Sequence, residues 1–106
     1  MMEFETTAVI GLGTMGHGIA QTVALAGGQV RAFDTNVKDI ENLHSRIARN
    51  LKVMVEAEAI PEVDLQEVLG RITCCHHERD ALTGVDFVVE AIAEDLKLKQ
   101  AFFSRC

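Results

Sequence analysis

The chain has 106 residues, 48% of them apolar and 25% charged, an ordinary globular composition with room for one small domain and one core. Ten Lys and Arg against sixteen Asp and Glu give a net charge of -6, the wrong sign for a surface that must attract a nucleic-acid backbone, so no nucleic-acid partner is expected. No apolar run reaches the ~20 residues needed to cross a bilayer, the start Met1-Met2-Glu3-Phe4-Glu5 has no leader character, and Cys74, Cys75 and Cys106 are odd in number without framework spacing; no membrane role is expected, and a cytoplasmic location with reduced thiols is.

Thr7-Ala8-Val9-Ile10-Gly11 is a short β-branched run closed by glycine. Residues Ile19 to Leu25 then repeat apolar positions at helical spacing before Gly27-Gly28, and Gln29 to Asp34 alternates apolar positions and ends on an acid. The three segments predict strand, tight turn, helix and second strand, a βαβ unit. From Val37 to about Ala59, Ile40, Leu43, Ile47, Leu51, Met54 and Val55 recur at intervals of three and four, so they share one face of a long helix that Pro61 ends. A shorter helix is expected over Glu62 to Leu69, a third strand over Arg71 to Cys74, and a turn over Glu78 to Gly84. Val85 to Ile92 is nearly continuous in apolar residues, as buried parallel strands are. Asp95 is read as the cap of a helix through Leu96, Leu98, Ala101 and Phe102. The expected fold is α/β, a Rossmann-type parallel sheet of about four strands with flanking helices, incomplete relative to a larger sheet.

The segment Gly11-Leu12-Gly13-Thr14-Met15-Gly16 fits G-x-G-x-x-G directly after a predicted strand and at the opening of a predicted helix. In that setting the pattern binds a dinucleotide: Gly11 makes the turn, Gly13 lets the backbone approach the pyrophosphate, and Gly16 lets the helix pack close to the strands. Gly18 is read as extending the same small packing face, and His17 as an unremarkable polar residue of the first turn. Asp34, at the end of the second strand, is placed to accept hydrogen bonds from the adenosine ribose hydroxyls and would repel a 2′-phosphate, which favours NAD over NADP. Arg31 has no reason from strand alternation to turn toward that ribose. Cys74-Cys75-His76-His77 does not read as a metal site, because consecutive strand residues point to opposite faces and no second ligand pair stands at zinc spacing.

Val9 to Gln21 and, more tellingly, Val88-Val89-Glu90-Ala91-Ile92-Ala93-Glu94-Asp95-Leu96-Lys97-Leu98-Lys99-Gln100 resemble the 3-hydroxyacyl-CoA dehydrogenases over nearly the whole chain. The resemblance implies oxidation of an L-3-hydroxyacyl-CoA to the 3-oxo form with NAD, in fatty-acid metabolism, by a homodimer. Carried over by position, Leu12, Thr14 and Met15 join the three glycines and Asp34 at the cofactor, and Glu94 and Lys99 contact it near the nicotinamide ribose. Asn50 stands where that family places a small polar residue against CoA, while a lysine found further along in some relatives has no counterpart, because residues 54–59 are apolar or acidic. The family's catalytic histidine, glutamate, serine and asparagine follow the matched segment, and His44, His76 and His77 are not in that context. Residues 1–106 are therefore read as the N-terminal part of an NAD-binding domain without catalytic residues or the substrate and dimerisation domain, and exposed Phe102 and Phe103 predict association in isolation. Two alternatives are a 3-hydroxyisobutyrate or 6-phosphogluconate-type dehydrogenase, which shares the Gly-Leu-Gly-x-Met-Gly start, and a non-catalytic NAD-binding module.

Overall fold

A computed structural model describes residues 5–92 and 95–100. Strand β1 (Thr6–Ile10) runs into the glycine turn and helix α1 (Thr14–Leu25); β2 (Gln29–Phe33) and the long helix α2 (Val37–Glu56) follow. Helix α3 (Leu65–Gly70), β3 (Ile72–Cys74), the short helix α4 (Glu78–Leu82), β4 (Phe87–Ile92) and β5 (Asp95–Gln100) complete the order. The sheet order is β3-β2-β1-β4-β5, with the first four strands parallel. The chain leaves β1 toward β2 on one side and returns to β4 on the other, so the carboxyl end of β1 is a switch point, where open α/β sheets form their ligand crevice.

Burial follows the sequence pattern. Val9 joins Ala20 and Ala24 of α1 and Ile40, Leu43, Ile47 and Leu51 of α2 in the main core. The four α2 residues recur every three or four positions, and burying each contributes about 1.5–3 kcal/mol. Ile10 points to the other face, against Cys75 and Ala81 of α4. Helix α2 begins on Asn36, whose side chain accepts from the Lys38 N–H at 2.9 Å, and it ends at Glu56, before Pro61. Arg71 donates to the Ala24 carbonyl at 2.7 Å, in the last turn of α1, where that carbonyl also accepts from the Gly27 N–H at 3.1 Å.

Two expectations are corrected. The turn over residues 78–84 contains α4, a five-residue helix with one buried side chain, Ala81, too short to show a period. The helix expected from Asp95 is instead the antiparallel strand β5, which adds a fifth strand to the sheet. Its pairing runs from Ile92 against Asp95 to Phe87 against Gln100, with Lys97 opposite Glu90. Leu96 and Leu98 are two residues apart, which is strand spacing, and the outer edge of β4 offers a row of backbone groups that a strand satisfies in full. Residues 101–106, on which the rest of that helix was expected, lie outside the described residues. Among the described residues, no helix is long and apolar enough to cross a membrane.

The glycines of α1 differ sharply. A Cβ on Gly16 would lie 1.6 Å from the Gly11 carbonyl oxygen, whereas one on Gly18 would meet nothing within 4 Å. Packing therefore requires the first and not the second, contrary to the reading of Gly18 as a packing residue. Gly18→Ala stabilises the chain by roughly 0.5–1 kcal/mol, because alanine loses less backbone entropy in a helix; an unchanged or lower urea midpoint counts against this.

Candidate functional site

The crevice at the end of β1 is a cleft of about 420 Å³. Gly11, Gly13, Thr14 and Met15 form one wall, Asp34, Thr35 and Asp39 another, and Glu78 reaches it from α4. Every peptide of the glycine loop has a fixed direction. The Gly11 N–H donates to the Phe33 carbonyl at 2.8 Å, and Gly11 turns the chain at φ 99°, a conformation that favours a residue without a Cβ. The Leu12 N–H donates to Asp34 Oδ2 at 2.6 Å, while the Leu12 side chain is fully buried in the core. The Gly13 carbonyl accepts from the His17 backbone N–H at 2.9 Å.

Helix α1 opens on Gly13 with no side-chain cap and no acidic residue in its first turn. Its first N–H groups have no intrahelical acceptors and carry the positive end of the helix dipole. A Cβ on Gly13 would meet nothing within 4 Å, so the space beside this residue is open to a ligand. Exposed, aligned N–H donors beside such space suit a pyrophosphate.

The Asp34 carboxylate accepts from the Leu12 N–H through one oxygen and from the Asn36 N–H at 2.8 Å through the other. It thus ties the glycine loop to the start of α2. Oδ2 has a second lone pair for a ligand hydroxyl, while Oδ1 also accepts from the Thr35 hydroxyl at 3.5 Å. Asp39 and Glu78 also line the cleft, so its walls present three carboxylates. Arg31 is turned away, donating to the Asp80 and Thr83 carbonyls, both at 3.0 Å, as strand alternation leads one to expect.

Of the residues singled out from the sequence, Gly11, Gly13, Thr14, Met15 and Asp34 share the cleft, and Leu12 and Gly16 hold its loop in place. Glu94 lies outside the described residues. The backbone of Lys99 stands in β5 opposite Val88, which is in register with Ala8 of β1. Asn50 is engaged between helices, donating to Gln21 Oε1 at 3.1 Å and lying 3.2 Å from His17 Nε2. His44 Nε2 is 2.9 Å from the Ile72 carbonyl, and His76 and His77 are exposed at the start of α4. The sequence reading missed Arg46, Asp39 and Glu78. The helical period brings Asp39 to the first turn of α2, but nothing local marked Arg46.

Cys74 packs with the main core and Cys75 with the Ile10 and Ala81 cluster on the opposite face, so the two thiols do not converge. Burial pushes the Cys74 thiol above its ordinary value, helped by Cys75. Burial also pushes Cys75 up, with Arg31 opposing and Asp80 adding to the shift. Both react with iodoacetamide on the order of tenfold more slowly than a free cysteine at neutral pH, because the thiolate is the nucleophile; a Cys106→Ser chain isolates them, and labelling at the free-cysteine rate contradicts this. A raised thiol pKa leaves stability intact below the ordinary value of 9.0 and removes it as pH climbs through the folded value.

The family model described as "3-hydroxyacyl-CoA dehydrogenase, NAD binding domain" matches residues 6–106. The chain belongs to this family. Its cofactor is NAD, and the loop, helix terminus and carboxylates fit that molecule. A probable 3-hydroxybutyryl-CoA dehydrogenase of Bacillus subtilis is 36% identical over 102 residues, covering 96% of this chain and 35% of that protein. The 3-hydroxyadipyl-CoA dehydrogenase of Escherichia coli is 36% identical over 110 residues, covering 99% of this chain and 22% of that one. The crystal structure of (S)-3-hydroxybutyryl-CoA dehydrogenase from Ralstonia eutropha superposes with a TM-score of 0.76 at 31% identity, over 88% of this chain and 32% of that structure. The chain thus spans about a third or less of the proteins it matches.

Proposed function

We propose that the chain forms the NAD-binding part of an enzyme that oxidises an L-3-hydroxyacyl-CoA to the 3-oxoacyl-CoA, in fatty-acid and acyl-CoA metabolism, as a cytoplasmic homodimer. The observation that carries the reading is the cleft itself: an uncapped helix N-terminus and an open Gly13 face a wall of carboxylates at the switch point of the sheet. Gly11, Gly13 and the first turn of α1 hold the pyrophosphate, with Thr14 and Met15 beside it. Asp34 accepts from the adenosine ribose hydroxyls, and Asp34, Asp39 and Glu78 together disfavour a 2′-phosphate, so NAD is taken over NADP. Glu94 and Lys99 are proposed, from the family's pattern, to reach the nicotinamide ribose. Bound NAD supplies the hydride acceptor of the reaction.

No residue of 1–106 is assigned a catalytic role. His44 is engaged by a carbonyl and His17 by the helix pair, and neither His76 nor His77 lines the cleft. The proton-abstracting base is assigned to further parts of the enzyme, and Asn50 of α2 is proposed, from the family's pattern, to contribute to the CoA contact. Fluorescence titration of the chain with NADH, followed by addition of acetoacetyl-CoA, tests both points. Saturable NADH binding without turnover is expected. Equal affinity for NADPH contradicts the cofactor assignment, and turnover by the chain alone contradicts the absence of catalytic residues.

A further inference from the structure

Outside the carboxylate wall, the glycine loop has a second support that comes from α2. Arg46, one of the ten basic residues in a chain of net charge -6, is half-buried beneath the loop. Its Nη1 donates to the Leu12 carbonyl at 3.2 Å, and its Nη2 lies 3.0 Å from His17 Nδ1. That ring nitrogen is also 3.0 Å from the Gly13 carbonyl. His17 is flanked on its other nitrogen by Asn50, which donates to Gln21. Among the described residues Arg46 makes no ion pair, so its charge is directed at the loop.

The consequence follows from peptide geometry. All described peptides are trans, so the C=O and N–H of one unit point in opposite directions. Asp34 holds the Leu12 N–H and Arg46 holds the Leu12 C=O. With that carbonyl drawn toward α2, the Gly13 N–H of the same peptide unit is turned the other way, on the residue that lines the cleft. The neighbouring Gly13 carbonyl accepts from the His17 backbone N–H at 2.9 Å, which in the same manner turns the Thr14 N–H back toward the cleft; His17 Nδ1 faces the guanidinium, which can only donate, and so accepts there rather than donating to this carbonyl. The guanidinium also polarises the Leu12–Gly13 peptide, since a charged donor on the carbonyl strengthens the N–H as a donor to an anion.

We infer that Arg46 is a positioning residue for the NAD pyrophosphate: through the Leu12 carbonyl it sets the direction and strength of the Gly13 backbone donor offered to the phosphates, without touching them. The inference rests on the NAD reading of the cleft. It goes beyond it by assigning phosphate affinity to a side chain of α2 that is not part of the G-x-G-x-x-G pattern.

Calorimetric titration of the 106-residue chain and its Arg46→Met and Arg46→Lys variants with NAD and with adenosine, which has no phosphate, tests the assignment. Methionine preserves the stem and removes the charge and the fork. Arg46→Met weakens NAD about tenfold, the equivalent of ~1.4 kcal/mol, and leaves adenosine within about twofold. Arg46→Lys keeps a charge near the Leu12 carbonyl without the fork and falls between the two, which also keeps the test open if the methionine variant unfolds. Unchanged NAD affinity in both variants overturns the inference while the cofactor reading stands. Equal weakening of NAD and adenosine overturns it as well, because Arg46 then supports the whole domain rather than the phosphate donors. A wild-type chain that binds adenosine and not NAD overturns the cofactor reading, and the inference with it.

Discussion

Gly16→Ala destabilises the chain by about 3 kcal/mol or more and removes NAD binding. The new methyl carbon would sit 1.6 Å from the Gly11 carbonyl oxygen and 2.7 Å from its carbon, and both are backbone atoms that no rotamer change can move aside. Relief requires either lifting the first turn of α1 off the end of β1 or rotating the Gly11 peptide. The first opens the contact that buries Ala20 and Ala24. The second swings the Leu12 N–H away from Asp34, because the Gly11 carbonyl and the Leu12 N–H belong to one peptide unit. Overpacking typically costs ~1–3 kcal/mol where side chains can adjust, and a backbone clash lies at or above the top of that range. Urea denaturation of Gly16→Ala beside Gly18→Ala is the measurement, since the two changes add the same atom to the same helix. Equal stability of the pair contradicts the close-approach argument.

Asp34→Ala weakens NAD binding by about a hundredfold and erodes the preference over NADP. Two effects add. The carboxylate accepts from the Leu12 and Asn36 N–H groups, and hydrogen bonds to a charged group contribute about 1.5–3 kcal/mol each where they are shielded from water. Its loss also removes the acceptor proposed for the ribose hydroxyls and one of three carboxylates facing a 2′-phosphate. Asp34→Asn separates the two, because an amide oxygen can still accept from Leu12 while the charge is gone. In that variant NAD affinity falls less and NADP gains. Parallel titrations with NAD and NADP decide the matter. If the ratio of the two affinities does not move in either variant, Asp34 has no part in cofactor choice and serves only as a brace for the loop.

The βαβ unit and α2 were legible in the sequence because each signal was local. A β-branched run closed by Gly11 can hardly be anything but a strand entering a turn, and Ile40, Leu43, Ile47 and Leu51 leave only one helical face to bury. Asp34 was legible by its place at a strand end. Other features depend on distance. Arg46 reaches the Leu12 carbonyl across thirty-four positions, and an arginine on an amphipathic helix has the same local pattern whether it meets solvent or a loop. Helix α4 buries only Ala81, too little to impose a period. For residues 95–100 the deciding partner is the free edge of β4, which outweighs a capping signal at Asp95 that would otherwise have opened a helix. Gly18 was misread because a glycine in a helix reports flexibility and close packing with the same letter. Only the geometry around it separates the two.

Leu12 projects its side chain into the hydrophobic centre while its peptide groups form the floor of the cofactor loop. The ligand and the core therefore meet within a single residue, and occupancy of one is thermodynamically linked to integrity of the other. NAD bound to the native chain and not to the unfolded one adds RT ln(1 + [NAD]/Kd) to stability, so a melting temperature for this chain has meaning only beside the cofactor concentration at which it was measured. The same linkage makes the cofactor a folding ligand: a supply of NAD protects the chain from the open states that proteases attack.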